Sequence, residues 1–126
     1  SQVEIDSINI TDAGDDCLDV SFGNYKFNML KLSKCTDKGI SVGEKSTINI
    51  ENTQIDNAKI GVASKDSSVT NLNEIYLKNL DTCFAAYNKK QEFAGGTINI
   101  NNFQCSNFIT KFKTDSKSEI IIKNNE

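Results

Sequence analysis

A repeat of 20 to 24 residues runs through the chain and restricts the folds that it can adopt. Similar apolar segments begin at Leu18, Ile40, Ile60 and Phe84. A second set of segments alternates apolar and polar residues, as in the Ile-Asn-Ile triplets that begin at residues 8, 48 and 98. A short period that contains alternating strands is typical of a solenoid, in which each repeat forms one coil that packs on its neighbours.

The repeat predicts an all-β fold, a right-handed parallel β-helix of about five to six coils. The chain contains many Ile residues, which favour strands, and many Asn residues, which favour tight turns. Inward side chains of one coil would stack on those of the next coil at about 4.8 Å. An antiparallel sandwich is the alternative, but it would not repeat the same short strings, and the Asn-Gly hairpin signal is missing.

The composition of the chain limits the kinds of partner that we expect it to bind. All 14 positive charges are Lys, they are scattered, and the net charge is −3, so we expect no nucleic-acid partner. No apolar run is long enough to cross a bilayer, so we expect no membrane span. The length of 126 residues predicts a single domain over residues 1–126. Strand-like residues continue from Val3 to Ile122 without a recognisable cap, so we expect a fragment of a longer protein or an end covered by a partner.

Two equivalent turns carry most of the candidate site. The segment Gly14-Asp15-Asp16-Cys17 precedes the strand at Leu18, and Thr36-Asp37-Lys38-Gly39 precedes the matching strand one coil later. Side chains at equivalent places of adjacent coils project from the same face. We therefore expect Asp15, Asp16, Asp37 and Lys38 to cluster on the outer surface.

These turns resemble those of the polygalacturonases, the family 28 glycoside hydrolases of the pectin-lyase-like superfamily. The shared features are Gly-Asp-Asp-Cys at residues 14–17, then Cys35, then the strand GISVG at residues 39–43. The resemblance implies a right-handed parallel β-helix in which Asp16 is the general acid and Asp15 helps to activate a water molecule. It also implies that Cys17 and Cys35 can be bridged.

The same comparison predicts binding without cleavage. Lys38 stands where the family has a histidine, and the chain contains neither His nor the Arg with which the family grips a uronate. Because activity requires the complete set of groups, we do not expect polygalacturonase activity from this chain. The alternative for Asp15 and Asp16 is a structural role in the turn, in which the Asp side chain hydrogen-bonds to its own backbone.

We predict no cofactor and no metal. Carboxylates could offer oxygen ligands to calcium, but their spacing matches no calcium loop. The candidate ligands are Asp12, Asp15, Asp16 and Asp19.

The four cysteines lack the CxxC spacing of zinc sites. Cys17 and Cys35 lie one coil apart, so a disulfide or two buried thiols are both open. Cys83 and Cys105 lie 22 positions apart but fall in different columns of the repeat, so we expect free thiols in the core.

The segment YNKKQEFAGG, residues 87–96, breaks the repeat and predicts a loop. Tyr87 and Phe93 could stack on a sugar ring while Lys89 and Lys90 bind its oxygen atoms. The alternative is that one or both aromatic rings fold back over the core. Equivalent places in three coils predict a row of charge on one face, formed by Lys45, Lys65 and Lys89. Such a row could attract an anionic polymer, and the alternative is a solvated edge that discourages aggregation.

Taken together, these features predict the β-helix domain of an exported, cell-surface or envelope protein that binds or presents a polysaccharide without cleaving it. A second hypothesis is a fragment of a polysaccharide hydrolase, lyase or epimerase that uses Asp15 and Asp16. A third is a structural spacer that contacts other proteins or other domains of its own parent protein. Aromatic residues exposed along a groove would favour the first hypothesis, and a sugar-sized cleft at the two aspartates would favour the second.

Overall fold

The computed structural model describes residues 2–123, which form eight β-strands, and 75% of the structure is strand. The strands are β1 (Val3–Ala13), β2 (Leu18–Val20), β3 (Asn24–Cys35), β4 (Lys38–Val42), β5 (Thr47–Lys65), β6 (Val69–Tyr87), β7 (Thr97–Thr114) and β8 (Glu119–Ile122). Between residues 2 and 123, no helix has the length and apolar character needed to cross a membrane.

The strands stack as the coils of a parallel β-solenoid with about five turns. The sheet runs in the order β1-β3-β5-β6-β7-β8, while β2 pairs with β4 and β4 pairs with β5. Every described pairing is parallel, and each residue pairs with its equivalent one coil away, as Ile8 does with Leu30. The prediction of an all-β parallel solenoid is therefore confirmed, and the antiparallel sandwich is wrong.

Two bends divide the coil into three faces. In β5 the first bend lies at Glu51 and Asn52, where two consecutive residues are exposed. The second bend is a column of residues with left-handed backbone, a conformation that Asn and Asp adopt more readily than other non-glycine residues. This column consists of Asp12, Lys34, Asn57, Asn79 and Asn107, with φ between 56° and 72° except at Lys34, where φ is 53°.

We name two of the faces by the residues that form them. The middle face is the outer surface between the two bends, which includes residues 54–56 of β5 and 76–78 of β6. The third face is the outer surface after the second bend, formed by β2, β4, residues 60–65 of β5 and residues 82–87 of β6. The turns that contain the aspartates lead directly into the third face.

Inward-facing Ile, Leu and Phe side chains fill the interior. Leu30, Ile75 and Phe84 have no exposed surface, and they belong to one continuous apolar cluster. Between β6 and β7 the ring of Phe84 packs edge-on against Phe103 and is stacked with Phe112, at centroid distances of 5.5 and 5.8 Å. Burial of these side chains removes apolar surface from water and stabilises the stacked coils.

Both pairs of cysteines are disulfide-bonded. Cys17 and Cys35 are joined with a Cα–Cα distance of 5.4 Å, and Cys83 and Cys105 with one of 6.6 Å. The expectation of core thiols at Cys83 and Cys105 is therefore wrong. That expectation assumed that bridges join equivalent positions, but Cys105 pairs with Leu77 in the ladder, so the bridge crosses the interior between different columns.

Candidate functional site

Backbone hydrogen bonds between adjacent coils hold the two aspartate-containing turns together. The amide of Asp37 donates to the carbonyl oxygen of Asp15 at 3.1 Å, and the amide of Cys17 donates to the carbonyl oxygen of Lys38 at 2.9 Å. The amide of Lys38 donates to Oδ1 of Asp16 at 3.1 Å. As a result, carboxylate oxygens of Asp15, Asp16 and Asp37 lie within 4.8 Å of one another.

Lys38 places its ammonium among these carboxylates. Its Nζ lies 3.0 Å from Oδ2 of Asp37 and 4.0 Å from Oδ1 of Asp16. Burial acts to lower the pKa of Lys38, but the hydrogen bond to Asp37 and the neighbouring charges outweigh it and raise that pKa. Burial also raises the pKa of Asp16, against the opposing effects of the Lys38 amide and ammonium. The cluster is therefore a partly buried ionic network.

The arrangement does not reproduce the calcium set considered from the sequence. The carboxylates that converge are those of Asp15, Asp16 and Asp37, whereas Asp12 lies in the left-handed column and Asp19 is exposed on β2. A bound cation would have to compete with the ammonium of Lys38, which already bonds Asp37. The chemistry of this donor set therefore gives no reason to assign a metal.

Small residues form the floor of the third face. Ser41, Ala63 and Ala85 occupy one outward column, and they are at most 2% exposed although they lie outside the apolar cluster of the interior. Lys65 reaches back across this column, and its Nζ donates a hydrogen bond to Oγ of Ser41 at 3.1 Å. Small side chains thus leave room for a long side chain to lie along the sheet.

Lys65 and Tyr87, which pair in the ladder, are both half-buried on this floor. Burial lowers the pKa of Lys65, and the positive charge of Lys38 lowers it further. Burial raises the pKa of Tyr87 although the Lys38 ammonium opposes that change. The ends of the Lys65 and Tyr87 side chains, whose pKa values are shifted, therefore lie on the same surface as Asp16. A cluster of groups with shifted pKa values is typical of binding and catalytic sites.

The loop of residues 88–96 borders the third face and is anchored by Asp66. This aspartate is fully buried, and its Oδ1 accepts hydrogen bonds from the amides of Lys89 and Lys90 at 2.7 and 2.9 Å. The same oxygen accepts a hydrogen bond from Nδ2 of Asn88 at 3.1 Å. A Cβ on Gly96 would lie 1.9 Å from the carbonyl oxygen of Ser64, so glycine allows the loop to return close to the coil.

The loop side chains predicted to bind sugar have different environments. Lys89 and Lys90 are exposed, and the ammonium of Lys90 forms an ion pair with Glu44. Phe93 is partly buried, and the ammonium of Lys45 lies 5.9 Å from its ring centroid. Tyr87 is also partly buried, but it is the last residue of β6, so the loop begins at Asn88 and the prediction that it begins at Tyr87 is wrong.

Two groups at this surface were not assigned a role from the sequence. Ser41 and Asp66 were missed because a short polar residue, whether in a strand as Ser41 is or just after one as Asp66 is, resembles an ordinary edge or turn residue. Lys65 was placed in a row with Lys45 and Lys89, but the ladder pairs Lys65 with Tyr87. The repeated strings ISVGEKS (residues 40–46) and IGVASKDS (residues 60–67) contain Ser41 and Asp66, and this repeat is the signal that could have drawn attention to them.

Two open grooves lie away from the aspartate cluster. The larger has a volume of about 780 Å³ and follows the left-handed column between Asp12 and Asn107. The second, of about 520 Å³, lies on the middle face around Tyr76. Neither is lined by Asp15, Asp16, Asp37 or Lys38, so these two grooves and the ionic network are separate features.

Comparison with known proteins does not connect this site to a characterised family. The chain matches no protein-family model, no curated protein and no solved structure.

Proposed function

We propose that this chain is the β-solenoid of an exported or cell-surface protein that binds a polysaccharide without cleaving it. The observation that carries the proposal is the third face, where the polar ends of Lys38, Lys65 and Tyr87 lie around a floor of small residues. Partly buried polar groups that converge on one surface are suited to hydroxyl-rich ligands. The loop of residues 88–96 borders this surface and adds the exposed side chain of Lys89.

The geometry of the carboxylates favours binding over hydrolysis. Glycosidases place their two catalytic carboxyl groups on opposite sides of the scissile bond. Here three carboxylates converge on one place, with one oxygen of each within 4.8 Å of the others, and the ammonium of Lys38 bonds one of them. The resemblance to polygalacturonases is thus proposed to extend to the coil and its turns, not to their activity.

The two disulfides support the proposed location. Disulfides form and persist in oxidising compartments and are rare in reducing ones. The bridges Cys17–Cys35 and Cys83–Cys105 include every cysteine of the chain. In an extracellular or cell-envelope location, both disulfides would form because the compartment is oxidising.

A polysaccharide hydrolase, lyase or epimerase is the second candidate, and one observation favours it. Burial raises the pKa of Asp16, and a raised pKa is what a carboxyl group needs to act as a general acid. In this alternative Asp16 would protonate the departing oxygen.

Binding to immobilised polysaccharides tests the proposal. We would measure retention on neutral and acidic polymers, including polygalacturonate, for the natural chain and for Lys65→Met and Tyr87→Ala. Loss of retention in both variants, with retention kept in Lys26→Met, which replaces an exposed lysine of β3 outside the third face, would support the third face. Retention that neither variant changes would exclude this face.

The enzymatic alternative requires a second measurement on the same polymers. Release of reducing ends, or of unsaturated ends, by the natural chain and its loss in Asp16→Asn would establish cleavage. That result would overturn the proposal of binding without cleavage, whereas intact polymer after prolonged incubation would support it.

A further inference from the structure

The groove on the middle face contains a regular column of polar and aromatic side chains that plays no part in the site proposed on the third face. Gln54, Tyr76 and Gln104 occupy the same column on three successive coils, so each amide is directly beside the tyrosine in the ladder. Tyr76 is 50% exposed, and its hydroxyl donates to Oε1 of Glu74 at 3.2 Å. An accessible ring therefore stands between two accessible amides.

The apolar and polar parts of this groove suit a sugar. The ring of Tyr76 supplies its apolar part and the amides of Gln54 and Gln104 its polar part, because Leu32, Ile55 and Leu77 of the lining are only 2% exposed and belong to the interior. The apolar face of a sugar ring can pack on an aromatic side chain, while its hydroxyl groups bond amides that both donate and accept. A groove of about 520 Å³ falls within the usual size of small-molecule sites.

The charges beside the column favour an uncharged ligand. Asp56 and Lys78 occupy the neighbouring column, and Nζ of Lys78 lies 4.0 Å from Oδ2 of Asp56, so their charges largely cancel. Lys31 contributes a single positive charge one coil below Gln54. Around Tyr76 the lining is therefore close to neutral, unlike the ionic network of the third face.

We propose that the middle face is a second glycan-binding surface that takes a neutral saccharide chain, with one ring on Tyr76 and hydroxyls bonded to Gln54 and Gln104. The inference rests on the proposed function only for the class of ligand, since it involves different residues. Because the column follows the stacking direction at about 4.8 Å per coil, the saccharide would lie across the strands.

Titration with soluble oligosaccharides, followed by NMR of the backbone amides, tests this surface. The probes are cellohexaose, xylohexaose and mannohexaose, with hexagalacturonate as the acidic comparison. We expect at least one neutral probe to shift amides of residues 54–56, 76–78 and 104–106. We expect Tyr76→Ala to weaken that binding about tenfold, the equivalent of 1.4 kcal/mol, while Tyr76→Phe retains it.

The controls separate this inference from the proposed function. Gln54→Ala and Gln104→Ala should weaken binding, and Gln2→Ala, an exposed glutamine on another part of the coil, should not. Shifts confined to the third face, or neutral binding that Tyr76→Ala leaves unchanged, would overturn the second surface while leaving the proposed function intact. Hexagalacturonate binding more tightly than every neutral probe at Tyr76 would overturn the assignment of a neutral ligand.

Discussion

The third face and the middle face have the same backbone but different side-chain organisation. On the third face Lys38 and Lys65 bond neighbouring side chains, and they and Tyr87 are partly buried. On the middle face Gln54 and Tyr76 are exposed above a groove. A solenoid can thus carry a preorganised charged surface and an accessible neutral surface only a bend apart.

The size of the residues in the outward column accounts for much of this difference. On the third face the column of Ser41, Ala63 and Ala85 leaves space, so longer side chains lie flat and become ordered. On the middle face the corresponding column contains large side chains, including Tyr76, which therefore stand out from the sheet. Ordering has an entropic cost, which the hydrogen bonds and ion pairs of the third face must offset.

The largest expected effect is on the loop that borders the third face. We expect Asp66→Ala to lower the free energy of unfolding by about 3 kcal/mol, because it leaves the backbone amides of Lys89 and Lys90 without their acceptor at a buried position. It also removes one of the hydrogen bonds of Asn88, whose side-chain amide keeps its carbonyl partners in the loop. Gln104→Ala on the middle face should change it by less than about 0.5 kcal/mol. Urea denaturation of both variants measures the contrast.

A matched control tests whether this effect belongs to the buried carboxylate. Asp81→Ala removes an exposed carboxylate and should leave stability within about 0.5 kcal/mol of the natural chain. Equal losses in Asp66→Ala and Gln104→Ala would show that the two faces do not differ in this respect.

The repeat was sufficient to predict the coil, because inward Ile and Leu must recur wherever strands stack in register. The same register brings Asp37 and Lys38 over Asp15 and Asp16, so equivalence of the two turns was enough to bring these residues together. Local sequence carries this information because adjacent coils of a solenoid contact each other at equivalent positions.

Other features depend on quantities that the spacing does not contain. The Cys83–Cys105 bridge depends on the distance across the interior, which no column comparison provides. The Gln54–Tyr76–Gln104 column was hidden because the loop of residues 88–96 lengthens one coil, so Tyr76 and Gln104 are 28 positions apart. Outward residues also lack the apolar periodicity by which inward residues are recognised.

We expect an intermediate effect on stability when one lysine is replaced on each face, Lys38 on the third face and Lys78 on the middle face. Lys38 and Asp16 have side chains only 16% and 13% exposed, so Lys38→Ala removes a partly desolvated network and should cost about 1 kcal/mol. Lys78 and Asp56 are 62% and 45% exposed, and Lys78→Ala should cost at most about 0.5 kcal/mol.

Salt dependence sharpens this second comparison. Thermal unfolding at low and high ionic strength measures how much salt reduces the contribution of each lysine to stability. The contribution of Lys78 should fall by a larger fraction than that of Lys38, because exposed pairs are screened more strongly. A cost for Lys78→Ala equal to or above that for Lys38→Ala would contradict the difference in burial.

The smallest expected effect is a divergence between two lysines of the third face. The pKa of Lys65 should lie below the usual 10.5 and that of Lys38 above it, which NMR of ¹³C-methylated lysines can measure. Folding therefore disfavours the charged form of Lys65, and its contribution to stability increases as pH rises from its folded pKa toward 10.5. The contribution of Lys38 is present below 10.5 and is lost as pH rises through its folded pKa.

Two variants assign these shifts to named neighbours. Lys38→Ala removes a like charge, so the pKa of Lys65 should rise toward its ordinary value. Ser41→Ala removes an acceptor of the protonated amine, so the pKa of Lys65 should fall further. If both substitutions left the Lys65 titration unchanged, burial alone would set its pKa, and the third face would be a set of independent side chains instead of a coupled network.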